Sequence, residues 1–159
     1  MTKVRRTRWA LILSVLTVVV TAGCAQLPPY ETARDEARDD MQAVVDLLPD
    51  GAVERLEDPI PRGFVSCGDA RQYTGRWLVY LTDPAGIEAI AHDLRNDVGA
   101  AGFVEDETLD NRDDRFATRR GGDDSAPLVG VSVDEDLDGT SYLEVMGFAR
   151  CSQAPDEAE

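Results

Sequence analysis

The first 24 residues decide how much of this chain is available to fold. Lys3, Arg5, Arg6 and Arg8 precede an apolar run over 9–20 (WALILSVLTVVV), and Thr21-Ala22-Gly23-Cys24 follows it. A basic segment, an apolar segment and small residues, in that order, are the parts of a secretory signal peptide that is cut after the small residues. The apolar stretch 9–22 is 14 residues long, short of the roughly 20 that a helix needs to cross a bilayer. The reading is therefore a cleaved leader over 1–23, which leaves one small domain.

Removing the leader changes the charge. The full chain of 159 residues carries 16 Lys plus Arg against 31 Asp plus Glu, a net of −15. Four of those basic residues, including the single lysine Lys3, lie in the leader, so the remaining 136 residues hold 12 arginines against 31 acids, a net of −19. Binding a phosphate backbone requires clustered Lys and Arg, so nucleic acid is not expected as a partner. The 43% apolar share is that of a globular domain. A domain this acidic is expected to stand off from an anionic bilayer, on a tether over 24–29 whose two prolines resist helix and ladder formation.

Val20-Thr21-Ala22-Gly23-Cys24 resembles the lipobox of bacterial lipoproteins. That resemblance implies cleavage before Cys24, a diacylglyceryl group on its thiol and, in many lineages, a further acyl chain on its amine. Two or more chains hold a protein stably on a membrane, whereas one gives marginal affinity. The expected partner is thus the cell membrane, engaged through a lipid anchor on Cys24 from the extracytoplasmic face. With Cys24 lipidated, Cys67 and Cys151 remain as an even pair in an oxidising compartment, where disulfides persist. A bridge between them would close a loop worth about 4.5 kcal/mol in the chain-entropy model.

Between these points the pattern is mixed. Ala33, Ala37, Met41, Val44, Val45 and Leu48 recur at helical spacing over 31–48, and Pro49-Asp50-Gly51 ends the run. Residues 51–63 read as irregular. Strands are expected over 63–67, 75–82, 103–107, 115–119, 128–134 and 142–150, from alternation or from runs rich in β-branched residues. A second helix opens at Asp83-Pro84, buries Ile87, Ile90, Ala91, Leu94 and Val98, and ends at Gly99 or Gly102. The fold class that follows is α+β: an antiparallel sheet of about five or six strands, two helices on one face and one disulfide. Residues 30–151 form a single domain, and 152–159 (SQAPDEAE) read as a disordered tail.

No residue is assigned a catalytic, cofactor-binding or metal-ligating role. Nucleophilic catalysis by a Ser-His-acid set needs a histidine, and the only one, His92, falls off the apolar stripe of its helix. Gly130-Val131-Ser132-Val133-Asp134 lacks the final glycine of a nucleophile elbow and lies in a strand pattern. Arg119-Arg120-Gly121-Gly122 has no following helix to cradle a phosphate. Asp134-Glu135-Asp136-Leu137-Asp138-Gly139 matches the opening of an EF-hand loop, but Val145 stands where the bidentate Glu belongs. A looser calcium-binding turn and a plain hairpin loop with Asp138-Gly139 at its tip are both compatible with that segment.

Taken along its length, the chain is similar to small lipoproteins of actinobacteria: the lipobox, an N-terminal helix, a Cys-containing strand, Trp77-x-Val79-x-Leu81, a helix ending in Ala101-Gly102-Phe103, and a last strand ending in Cys151. Arginine without lysine in the mature chain fits the codon bias of such genomes. The resemblance implies a lipid-anchored extracytoplasmic protein, read as a non-catalytic binding or interaction module of the cell envelope whose protein or small-molecule ligand is unnamed. The alternative is a small cell-envelope hydrolase using carboxylates or a bound divalent ion, which a cleft gathering two or more acids would favour.

Overall fold

A computed structural model describes residues 26–109, 111–112 and 114–155; the leader, Cys24 and residues 156–159 lie outside that range. The apolar residues of the first periodic run, from Ala33 to Val45, sit on one stripe of α1 (Tyr30–Val45), and all are buried. Leu48 stays buried in the turn that follows. Asp83 caps the second helical segment by accepting the Ala85 N–H at 3.1 Å, and Pro84 opens a 3-10 turn that runs into α2 (Ile87–Asp97). The turn after α2 closes at Gly102, which takes φ +85°, a conformation that glycine adopts without a Cβ clash.

Seven antiparallel strands form one sheet: β1 (Val53–Glu57), β2 (Phe64–Cys67), β3 (Ala70–Leu81), β4 (Phe103–Glu105), β5 (Arg115–Arg120), β6 (Leu128–Glu135) and β7 (Ser141–Ser152). Their order is β1-β3-β7-β6-β5-β4, and β2 pairs with the first half of β3 while β1 pairs with the second half. The period-2 alternation of a strand sends Trp77, Val79 and Leu81 of β3, Leu143 and Val145 of β7, and Val129 and Val131 of β6 to one face. Both helices cover that face, and these side chains form a single core with Met41, Val44, Leu94 and Val98. Close approach of α1 to β7 depends on Gly147, since a Cβ there would overlap Met41 Sδ and lie 2.9 Å from its Cγ.

Ion pairs fasten the rim of this core. Asp40, 6% exposed, accepts from Arg120 Nε at 2.7 Å and so joins α1 to β5. Arg38 reaches Asp58 at 2.6 Å and lies over the Trp77 ring. A buried carboxylate left without its guanidinium would be costly, so these contacts fix where the helix sits.

Cys67 and Cys151 are bridged, with Cα atoms 6.0 Å apart. Cys67 faces Ala70 and Cys151 faces Gln72 across β3, so the bridge ties together the two strands that flank the start of β3.

Three local features differ from the sequence reading. β1 forms where residues 51–63 read as irregular, because its backbone pairs with β3 although most of its side chains are exposed. β3 begins at Ala70, earlier than 75, held on both sides by β2 and β7. Ser152, assigned to a tail, is the fully buried end of β7 and donates its hydroxyl to Arg71 O at 2.9 Å.

Candidate functional site

The face of the sheet opposite the helices carries no helix, and its central strands build a groove. Register places Leu128 beside Phe148, Gly130 beside Met146 and Ser132 beside Glu144 across β6 and β7, with Ala117 and Arg115 of β5 opposite Gly130 and Ser132. Large side chains on β7 face small ones on β6 and β5, so the floor is lower along Gly130 and Ala117. The β4–β5 loop supplies the remaining wall through Leu109 and Asn111. Asn111 is fastened there, since it accepts the Ala117 N–H at 3.0 Å and donates to Asp106 O at 2.9 Å.

The loop itself is braced by Asp106. Its carboxylate accepts from the Thr108 hydroxyl and backbone N–H, contacts that hold its pKa below the ordinary value, and Arg119 adds a further bond at 3.2 Å. Arg119 also donates to Ala126 O at 2.8 Å, which links the loop to the start of β6.

The resulting space is about 450 Å³ and opens to solvent, within the range of small-molecule sites. Leu109, Leu128, Met146 and Phe148 make it apolar, while Asn111, Arg115, Ser132 and Glu144 add polar groups. At one end Glu144 accepts from Arg76 Nε and lies 3.4 Å from the Ser132 hydroxyl, and Arg76 reaches the Tyr142 hydroxyl at 3.3 Å. The Glu144 hydrogen bond holds the Arg76 guanidinium firmly protonated, and burial pushes the Tyr142 hydroxyl upward. The arrangement is an apolar trough with a charged, hydrogen-bonding end. Gly130 keeps it open: a Cβ there meets nothing within 4 Å, and its φ is not positive.

Of the residues weighed from the sequence, Gly130, Val131 and Ser132 of the segment rejected as a nucleophile elbow line the groove, and the others lie elsewhere. Cys151 of the bridge borders a smaller depression, of about 320 Å³, that shares Leu128 and Phe148 with the groove. Cys24 is outside the described residues. His92 is exposed on α2. Asp134 lies in β6 and Asp136–Asp138 begin the β6–β7 hairpin loop, with Gly139 at φ +79° and one Asp136 oxygen accepting the N–H groups of Asp138 and Thr140. Among the described residues, no three His, Cys, Asp or Glu side chains converge on a point. The groove itself was missed. Its one sequence signal was the alternation of Val129, Val131 and Val133 with the small Gly130 and Ser132, a strand bulky on one face only.

Comparison of the chain with protein-family models, with curated proteins and with solved structures gives no match.

Proposed function

We propose that this chain is a lipid-anchored, extracytoplasmic binding module whose ligand is a small amphiphile with an apolar body and a hydrogen-bonding end. The observation that carries the binding role is the groove on the uncovered sheet face. An apolar body would lie along Leu128, Met146 and Phe148, and a polar end would meet Arg76, Ser132 and Glu144. Burying about 100 Å² of apolar ligand surface there is worth roughly 2.5 kcal/mol before the costs of association.

The Cys67–Cys151 bridge supports the address, because such bonds persist in oxidising compartments. Among the described residues that line the groove the one carboxylate is Glu144, and its bonds to Arg76 and Ser132 hold a hydrogen-bonding end in place.

Nile red is a suitable probe of the groove. Gly130→Leu projects a side chain into the open space without straining the strand, so it should weaken dye binding by about tenfold or more, equivalent to ~1.4 kcal/mol, while the melting temperature changes little. Equal dye affinity in the two proteins, or no saturable binding by the wild type, would contradict the proposal.

A further inference from the structure

The domain's first described residues sit beside an exposed apolar edge, and the placement is fixed by named contacts. Gln153 donates its backbone N–H to Pro28 O and its side-chain amide to Leu27 O. Tyr30, the first residue of α1, donates its hydroxyl to Gly63 O at 3.0 Å, and its ring meets that of Phe64 edge-on with centroids 6.3 Å apart. Ser152, Arg71 and Ser66 lie in one row across β7, β3 and β2. The start of the helix, the end of β7 and the β2 edge therefore share one corner.

That corner is apolar. Leu27, Ile60, Phe64 and Val65 are 42%, 39%, 50% and 46% exposed, and they make up half of the large apolar side chains that stand out from the described surface. β2 has a strand neighbour on one side only. Arg62 at this corner is paired with Glu31 of α1 at 3.2 Å, and Arg71 lies on β3 beside Ser66 of β2. Arg71 lies over the Phe64 ring, 5.7 Å from its centroid.

Resting on the reading of Cys24 as the anchor, and in place of the stand-off expected from the net charge, we propose that the β2 edge docks on the lipid bilayer that holds the anchor. Only Ala25 and Gln26 separate Cys24 from the fastened Leu27, and three residue steps span at most about 11 Å. The anchor therefore holds this corner, and no other, against the headgroups. Phe64, Val65, Ile60 and Leu27 enter the interfacial layer, where apolar and aromatic side chains gain from partial burial, and Arg71 beside them meets anionic lipid. Leu137, in the loop between β6 and β7 at the opposite end of β7 from Ser152, stands in solvent.

The test uses the full-length lipoprotein, extracted from membranes and reconstituted into vesicles of phosphatidylcholine and phosphatidylglycerol with brominated acyl chains. Phe64→Trp and Leu137→Trp are compared against the background of buried Trp77. Docking predicts that vesicle flotation carries both variants and that brominated lipid quenches most of the emission added by F64W and almost none of that added by L137W. Flotation with no quenching of F64W overturns the docking and leaves the anchor standing. Failure of both variants to float overturns the anchor, and the docking with it.

Discussion

Gln153 donates its backbone N–H to the carbonyl of Pro28 at 2.9 Å, and so pairs the residue after the last strand with the residue two before the first helix. The side-chain amide of Gln153 adds a bond to Leu27 O at 2.8 Å. The stretch expected to serve as a six-residue tether is thus fastened through half its length, and the two ends of the domain leave from one corner.

Ending the chain after Ser152 removes both of these bonds. Each is worth about 1 kcal/mol, so the main effect should be local: faster amide hydrogen exchange over Leu27–Tyr30 and earlier proteolysis before α1, with core strands unaffected. Unchanged exchange at those amides would show that the corner is held by other contacts.

Gly147→Ala places a methyl group where Met41 packs. Overpacking of this kind costs about 1–3 kcal/mol, read as a lower urea midpoint at constant m-value. Shortening the opposing side chain by Met41→Ala in the same protein should recover part of that loss, giving a coupling between the two sites in a double-mutant cycle.

Reducing the Cys67–Cys151 bridge, whose partners are 84 residues apart, should destabilise the domain by about 2–4 kcal/mol. Cys67→Ser and Cys151→Ser should each match the reduced wild type. Alkylation of the unfolded mature protein without reductant should label neither cysteine.

Alkaline stability should follow Tyr73. Its ring is fully buried, and burial raises its pKa above the ordinary value of 10.0, against the opposing effect of the Arg38 hydrogen bond. Above that value the unfolded chain releases a proton that the native state still holds, so stability falls as pH rises. Tyr73→Phe should flatten the decline of the urea midpoint between about pH 9 and 11. Tyr30 and Tyr142, raised in the same direction by burial, should leave a residual slope.

What could be read from the sequence divides along burial. The stripe Ala33, Ala37, Met41, Val44 and the alternation of Leu143 with Val145 are core-facing, so their periodicity survives in the sequence and the elements follow from it. Val53–Glu57 pairs with β3 while exposing four of its five side chains, so hydrophobic pattern carried no signal there. Ser152 is polar, yet its hydroxyl finds Arg71 O inside the fold, a contact set by tertiary register alone. The groove was illegible for the same reason: it exists only once Gly130 and Met146 are brought side by side and Leu109 folds over them.

The proposed address and the proposed docking of the β2 edge both depend on Cys24, so the mass of the mature protein is the most direct test. Intact mass spectrometry of protein extracted from membranes should give a chain beginning at Cys24 that carries a diacylglyceryl group, and Cys24→Ser should leave an unprocessed precursor or release the protein to the medium. A mature chain with no lipid on Cys24 would contradict the account.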